Sequence, residues 1–296
     1  MIVVDWGTSN LRAYLCREDG SIVSQTQTPQ GIKAIQQNAY PQVLQSALQA
    51  LGQNAHQPVY ISGMAGSRGG WRETPYCTTP VSLQNIAARL LPLPEPFSGS
   101  FVPGARTMAA DGTIDVMRGE EIQIFGALSK LKIHDAVLCL PGTHSKWVRT
   151  KNGQIIEFAT FMTGDLFQAL AHTILCCDSE AHFSQHAFKT GLDAVTQTGG
   201  GILHQLFTAR TRVLEGVLAA EQVSSFVSGL LIGHELSQST TYQKQNEAVV
   251  VIGSDNLCER YRLALEHFAV NPILLGSDVA TCTGIAALNR VLQEGS

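Results

Sequence analysis

A short apolar run that ends in a glycine-threonine turn occurs twice in this chain of 296 residues. The first turn is Gly7-Thr8, and the second, Gly142-Thr143, comes almost half a chain later. Glycine lets the backbone turn tightly, and hydroxyl and backbone N–H groups beside it can donate hydrogen bonds to an anion. Solenoid repeats recur at much shorter intervals. The spacing therefore predicts two similar α/β halves, each with an anion-binding loop.

Length and composition support this division. A chain of 296 residues fits two domains of ordinary size. Hydrophobic residues make up 44% and charged residues 15%, which favours a large core and excludes disorder by charge repulsion. The formal net charge of −4 argues against general affinity for nucleic acid, which needs clustered Lys and Arg. We therefore expect no nucleic-acid partner.

The sequence also bears on the compartment. No apolar run approaches the ~20 residues that span a bilayer, and residues 1–5 lack the basic start of a signal peptide. The seven cysteines are scattered without CxxC spacing, and Cys176 and Cys177 are adjacent. This pattern is typical of reduced thiols and not of zinc or disulfides. We expect a cytoplasmic protein with no membrane partner.

Hydrophobic periodicity gives a coarse map of the elements. Apolar runs at 2–5, 11–16 and 22–27, with Asp19-Gly20 between the last two, predict two or three antiparallel strands. Further strands are predicted at 59–62, 136–140, 249–252 and 273–275. Helices are predicted at 40–51, 119–130, 165–175, 202–209, 221–236, 256–268 and 279–292.

The first loop combines groups that suit a polyphosphate. Its candidate ligands are Asp5, Gly7, Thr8, Ser9 and Asn10. Asp5 ends a strand, where its carboxylate could hold Mg²⁺ through water, because magnesium prefers oxygen ligands and keeps several waters. The alternative interpretation is an ordinary hairpin with a polar turn.

The second loop repeats this logic after another buried strand. Its candidate phosphate ligands are Gly142, Thr143, His144, Ser145 and Lys146. Lys146 would add a point charge. His144 could act as a base, although a histidine in a polar turn can equally form local hydrogen bonds. Together the two loops predict that residues 5–10 and 142–146 face each other and grip one polyphosphate.

Two acidic residues begin the helix predicted after Gly119. A helix N-terminus favours Glu120 and Glu121 electrostatically, which is a sufficient structural reason for them. The functional interpretation makes one of them a general base. Neighbouring helical side chains point about 100° apart, so only one should face a given site.

The glycine-rich loop at 62–71 is the candidate substrate loop. Arg68 could hold a carboxylate with its planar fork, and Trp71 could form an apolar wall. The alternative is a surface loop whose tryptophan fills the core. A weaker candidate is Gly253-Ser254, a strand-to-helix junction that an adenosine could approach.

These motifs, in this order, resemble the 2-dehydro-3-deoxygalactonokinase family. The matching stretches are residues 4–10, 61–68, 115–121, 140–147 and 161–167, with a looser match at Gly253. The family pattern usually has Glu where this chain has Asp165. The helix at 118–121 is also similar to the glutamate-bearing helix of exopolyphosphatases.

The resemblance implies a fold, a reaction and a site. The fold would be α/β, with two actin-like, ribonuclease-H-like domains at 1–128 and 129–296 that flank a nucleotide and substrate cleft, and the last helix could return to the first domain. The reaction would be transfer of the ATP γ-phosphate, with Mg²⁺, to the 6-hydroxyl of 2-dehydro-3-deoxy-D-galactonate in galactonate catabolism. The catalytic candidates are Glu121 and Glu120 at one predicted helix start and Asp165 at the next. The implied substrate candidates are Gly63, Met64, Ser67, Arg68, Trp71 and Arg118.

Other functions stay open at this point. An exopolyphosphatase-like phosphohydrolase could use the same helix to activate water, and a kinase could act on another small sugar acid. A regulatory protein could bind ATP without catalysing a reaction. Such a protein would need no general base, whereas this chain has candidate carboxylates beside the predicted loops. A homodimer is compatible with the sequence.

Overall fold

The computed structural model describes residues 1–36, 38–53, 57–171, 182–197, 199–239 and 247–295. It divides the chain into two compact units. The first comprises Met1–Ala136, Val148–Phe158 and Leu275–Ser296, and the second comprises Val137–Trp147 and Ala159–Leu274. No helix among the described residues is both long and apolar enough to cross a membrane.

Two sheets build the first unit. One has six strands in the order β3-β2-β1-β4-β7-β6, and the other has three in the order β5-β8-β9. Their bounds are β1 Ile2–Trp6, β2 Leu11–Cys16, β3 Ile22–Thr28, β4 Val59–Gly63, β5 Tyr76–Thr78, β6 Leu91–Pro92, β7 Gly99–Phe101, β8 Gly104–Met108 and β9 Ile114–Met117. The antiparallel β1-β2-β3 start confirms the hairpin prediction, and β1 pairs in parallel with β4.

Strand alternation sorts the central side chains of the large sheet onto two faces. Ile2, Val4 and Trp6 join the core cluster that packs on helix α1, Tyr40–Ala50. The intervening position Asp5 therefore points to the opposite face, at the carboxyl end of β1. Ligands of open parallel sheets bind at the carboxyl ends of the strands, so this end is the expected ligand-binding edge of the first unit.

The described residues of the first unit form four α-helices. They are α1 Tyr40–Ala50, α2 Leu83–Ala87, α3 Glu120–Leu131 and α9 Ser277–Glu294. Helices α3 and α9 cross with their backbones in contact, because a Cβ on Gly126 would lie 1.8 Å from the Ala280 carbonyl oxygen and one on Gly284 would lie 2.1 Å from that of Ile122. This crossing fixes the start of α3.

The second unit contains residues 137–140, 145–147, 159–161, 249–253 and 273–274 of a five-stranded sheet in the order β12-β11-β10-β13-β14. The strands of this sheet are β10 Ala136–Leu140, β11 Ser145–Lys151, β12 Gln154–Phe161, β13 Val249–Gly253 and β14 Ile273–Gly276. The helices of the second unit are α4 Thr163–Ala169, α5 Gln185–Gln197, α6 Gly201–Leu214, α7 Val223–Ser239 and α8 Asp255–His267. The mixed α/β architecture on two sheet-based halves confirms the predicted fold class.

Some predicted boundaries differ from the structure. Helix α4 begins at Thr163, before Asp165, and ends at Ala169; residues 172–175 of the predicted helix lie outside the described residues. Cys176 and Cys177 also lie outside them, while the described cysteines are free thiols. Helix α7 starts at Val223, after a 3-10 turn at Ala220–Gln222.

Candidate active site

A row of polar side chains crosses the first sheet at the end of β1. Asp5 pairs with Arg12 on β2 and with Ser62 on β4, so the three side chains share one face. Arg12 Nη1 lies 3.3 Å from Asp5 Oδ2. Burial raises the pKa of Asp5, and Arg12 opposes this rise. The Asp5 side chain keeps 18% exposure, so its carboxylate remains accessible.

The loop after β1 is held by its own backbone. The Gly7 amide donates to the Asn10 carbonyl over 2.9 Å, and the Lys33 amide donates to the Thr8 carbonyl over 3.2 Å. A Cβ added to Gly7 would meet Asn10 O at 3.4 Å, an ordinary contact. The fold itself therefore leaves room for a methyl group at Gly7, and Ser9 is exposed beside it.

Three predicted motifs meet in the first unit. A Cβ on Gly63 would lie 3.4 Å from Asp5 Oδ1, and a Cβ on Gly119 would lie 3.2 Å from Gly63 Cα. Both glycines have positive φ, +96° and +106°, which other residues rarely adopt. These turns bring the strand end at Asp5, the loop after Gly63 and the start of α3 together.

The two glutamates at the start of α3 have different environments. Glu121 is fully buried, and its two carboxylate oxygens accept from the Gly119 amide at 3.0 and 2.8 Å. Burial, with a contribution from Glu120, raises the pKa of Glu121 to about 8. Glu120 is half-buried, and its Oε2 accepts from the Arg118 amide at 3.0 Å. Its charge in turn raises the pKa of Asp5, so the two carboxylates are near each other.

Two of the predicted substrate residues have structural partners instead. Trp71 packs in an aromatic cluster, with its ring parallel to Tyr40 and edge-on to Phe101. Arg118 is buried, donates to Thr74 and stacks on a tyrosine ring. For Trp71 the contacts in this structure fit the alternative interpretation, in which its ring fills the core.

The remaining members of the substrate loop are more accessible. Arg68 is exposed, whereas Met64 and Ser67 are half-buried. Gly63 is buried against the Trp6 carbonyl. Arg68 is therefore the member of this loop whose guanidinium is available to an acidic ligand.

The second loop lies against the start of α4. The Asp165 amide donates to the Thr143 carbonyl over 3.0 Å, and Asp165 Oδ2 lies 2.7 Å from His144 Nε2. A Cβ on Gly164 would be 2.4 Å from the Gly142 carbonyl oxygen. Asp165, a candidate base in the sequence, is thus the partner of His144.

Two other predicted phosphate ligands point into the protein. Ser145 is fully buried and donates to Glu235 Oε2 over 2.7 Å. Lys146 is 4% exposed, and its Nζ donates to the His144 carbonyl over 3.1 Å. In this structure the two side chains predicted as phosphate ligands, Ser145 and Lys146, are therefore engaged with partners inside the protein.

Glu235 on α7 is a residue that the sequence interpretation missed. It is 3% exposed, and burial raises its pKa while four hydrogen bonds oppose the rise. The donors are Ser145 Oγ, Trp147 Nε1 (2.8 Å), Tyr261 OH (2.8 Å) and Thr163 Oγ1. A single acid in the otherwise apolar and glycine-rich run at 226–236 is the pattern that could have identified it.

A small pocket opens beside the second loop. It is bounded by this loop, α4, α7 and α8. Its lining residues are Gly142, Thr163, Gly164, Phe167, Ser228, Leu231, Ile232, Leu257, Arg260 and Tyr261. The candidate junction residues lie close by: a Cβ on Gly253 would be 3.7 Å from Pro141 Cδ, an ordinary contact, and Ser254 is exposed.

The described residues contain no group of three or more His, Cys, Asp or Glu side chains arranged to cage a metal. Asp5 is a partly exposed carboxylate at a strand end. A single carboxylate of this kind fits Mg²⁺ that keeps most of its water and is also held by substrate phosphates.

Comparison with known proteins identifies the family of this chain. The 2-keto-3-deoxy-galactonokinase family model matches residues 5–288. The chain is 35% identical to the probable 2-dehydro-3-deoxygalactonokinase of Rhizobium meliloti (strain 1021), over 98% of this chain and 96% of that one. It is 32% identical to the 2-dehydro-3-deoxygalactonokinase of Escherichia coli (strain K12), over 99% and 98%.

Solved structures agree on the fold. The crystal structure of a putative 2-dehydro-3-deoxygalactonokinase protein from Sinorhizobium meliloti superimposes with a TM-score of 0.89 at 34% identity and 98% coverage of both chains. The activator of 2-hydroxyisocaproyl-CoA dehydratase from Clostridium difficile matches with a TM-score of 0.57 at 11% identity, over 100% and 96%. The latter shows a shared actin-like ATPase fold. The chain belongs to the 2-keto-3-deoxy-galactonokinase family, the kinases of galactonate catabolism.

Proposed function

We propose that this kinase transfers the γ-phosphoryl group of ATP to the 6-hydroxyl of 2-dehydro-3-deoxy-D-galactonate. Family membership supports the substrate class. The observation that supports the chemistry is the meeting of Asp5, Gly63 and the start of α3 in one unit. It sets an accessible carboxylate, a second carboxylate and a glycine-lined backbone side by side.

The two glycine loops are the proposed phosphate ligands. In the first, the backbone around Gly7 with Thr8, Ser9 and Asn10 would donate to phosphate oxygens. In the second, Gly142, Thr143 and His144 would do so, while Ser145 and Lys146 support the loop from inside. The adenosine is assigned to the pocket beside Gly253 and Ser254, lined by α7 and α8.

Asp5 is the proposed magnesium ligand, through water. Its carboxylate is partly exposed, and Arg12 stabilises the ionised form that a cation needs. When bound, magnesium would neutralise phosphate charge during transfer. Asp5 would hold the hydrated ion at the end of β1.

Glu120 is the proposed general base. It is half-buried, whereas Glu121 is fully buried and occupied by the Gly119 amide. As O6 bonds to the γ-phosphorus and the bond to the β-phosphate oxygen breaks, the hydroxyl proton would pass to Glu120, leaving ADP and the sugar-acid phosphate. Glu121 would anchor the helix start that carries this base.

Arg68 is the proposed partner of the substrate carboxylate. Its exposed guanidinium can form a bidentate pair with a carboxylate. Met64 and Ser67 on the same loop would line the acceptor site. Trp71 and Arg118 would act indirectly, by holding the loop through Tyr40 and Thr74.

Coupled measurement of ADP release across a panel of 2-keto-3-deoxy sugar acids tests this function. The expected result is the highest kcat/KM with 2-dehydro-3-deoxy-D-galactonate and no turnover of polyphosphate. Equal rates with and without sugar acid would contradict the proposal, because ADP would then come from hydrolysis. A higher kcat/KM with another stereoisomer would reassign the substrate and keep the kinase.

A further inference from the structure

One buried carboxylate joins the second loop to the helix packed against it. Glu235 Oε2 accepts from Ser145, the first residue of β11, and from Thr163, the first residue of α4. The first residues of β11 and α4 are therefore hydrogen-bonded to the same carboxylate oxygen. The other oxygen accepts from Trp147, so the carboxylate is held on both sides.

The loop backbone is confined between these two attachments. Gly142 and Thr143 lie directly against α4, through the close approach of Gly164 and the hydrogen bond from the Asp165 amide. Because Thr163 ties α4 to Glu235 and Ser145 ties the end of the loop to it, a shift of the carboxylate would shift both walls of the loop. Nothing else on the described part of α7 donates to or accepts from Ser145.

Burying a carboxylate at this position costs free energy of desolvation. Burying a charge is unfavourable unless partners satisfy it, and apolar residues of similar volume are often as stable. Four donors from three elements, β11, α4 and α8, satisfy it here, and hydrogen bonds to an ionised group are the stronger kind. Such an arrangement gives a definite geometry to the groups it joins.

We propose that Glu235 is a positioning residue for ATP: it holds the loop at 142–145 in the conformation that binds phosphate. This rests on the proposed assignment of that loop to ATP. Glu235 would not touch the nucleotide. Its effect would appear in the affinity for ATP and leave the binding of the sugar acid unchanged.

Calorimetric titration of ATP with magnesium, without sugar acid, tests this directly. Glu235→Gln keeps the shape but offers one acceptor oxygen, so either Trp147 or the hydroxyl cluster faces an NH₂ group. We expect the Kd for ATP to rise about tenfold or more, since small misplacements of binding groups have effects of this size. Ser145→Ala removes only one of the four hydrogen bonds to Glu235, so it should also weaken ATP binding, but by a smaller factor.

The double variant makes the test quantitative. If Glu235 acts on the loop through Ser145, the two substitutions remove one shared connection, and the double variant should bind ATP about as weakly as Glu235→Gln alone. Additive losses would contradict a shared route. The KM for the sugar acid should stay within about twofold of the parent value in all three variants.

A matched control separates positioning from general loss of stability. Thr150 lies on β11, the strand that begins at Ser145. Its buried hydroxyl accepts a hydrogen bond from the Ala136 amide and donates one to the Ala136 carbonyl. Thr150→Val should lower the melting temperature without changing the Kd for ATP. If Glu235→Gln and Ser145→Ala behave like this control, Glu235 is structural only and the proposal is wrong. If the parent protein itself does not bind ATP, the proposed function fails first.

Discussion

The two adjacent glutamates at the start of α3 show how much one position along a helix changes a side chain. Glu121 points into the core and binds the Gly119 amide, while Glu120 keeps part of its surface exposed. The sequence predicted that only one of them would face a site, because helical neighbours diverge. It could not say which, since that depends on how α9 and the sheet pack around α3.

Substitution of each glutamate by glutamine tests the assignment of the base. Glu120→Gln removes the proposed proton acceptor, so kcat should fall by about 10² to 10⁴ while the Kd for ATP is retained. Glu121→Gln keeps the acceptor oxygen for the Gly119 amide, so kcat should change by only a few fold. The reverse order would exchange the two roles, and small effects of both would leave catalysis to positioning and charge.

The raised pKa of Glu121 predicts a pH dependence of stability. Between its ordinary value near 4.5 and about 8, the folded state binds a proton that the unfolded state releases. This group's contribution is therefore complete below pH 4.5 and declines by ~1.4 kcal/mol per pH unit as the pH rises toward 8. Urea unfolding at pH 5 to 8 should show this decline in the parent and lack it in Glu121→Gln. Parallel curves would show that Glu121 is not protonated in the fold.

Arg68 can be tested by keeping its charge and changing its shape. Arg68→Lys loses the planar fork that pairs with a carboxylate. The KM for the sugar acid should rise about tenfold or more, and the KM for ATP should stay level. An unchanged KM for the sugar acid would leave Arg68 as a surface residue and move the search to Lys33, Arg72 or Arg106.

At the scale of elements, the glycines divide into two classes. Those at Gly126 and Gly284 are required by the fold, because an added methyl would overlap a neighbouring helix backbone. Gly7 has room for a methyl group within the protein itself. In the proposed site, the atom that such a methyl would meet belongs to the ligand.

Alanine substitution separates these classes. Gly7→Ala should leave the melting temperature within about 2 °C of the parent and weaken ATP binding about tenfold or more, because a methyl blocks the approach of phosphate. Gly126→Ala is the matched contrast and should destabilise the protein strongly. If Gly7→Ala binds ATP normally, the loop at 5–10 is a structural hairpin.

The elements themselves were largely predictable from the sequence. Strands β1, β10 and β13 follow from apolar runs that end at or just before a glycine, and the hairpin of β2 and β3 follows from Asp19-Gly20. The partners of individual side chains were not predictable from the sequence, because they depend on contacts between residues that are distant in sequence. Trp71 is held by Tyr40 and Phe101, and Ser145 by Glu235 on a helix about ninety residues later. That the loops at 5–10 and 142–146 face each other stays a prediction.

At the scale of the whole molecule, the residues of the proposed function are divided between two units. The first contains Asp5, the loop after Gly63 and the start of α3. Helix α3 packs directly against α9. The second contains the loop at 142–146, its support by Glu235 and the pocket assigned to adenosine. In the proposed function the first unit accepts the sugar acid and also supplies the magnesium ligand and one phosphate loop. The second unit supplies the other phosphate loop and the adenosine pocket.

The central claim is that the phosphoryl group goes to the 6-hydroxyl of the sugar acid. The most direct measurement is phosphorus NMR of the products formed from ATP, magnesium and 2-dehydro-3-deoxy-D-galactonate. We predict one phosphate-ester signal coupled to the two C6 protons, in an amount equal to the ADP formed. Inorganic phosphate in place of the ester, or an ester coupled to the proton of another carbon, would contradict the account.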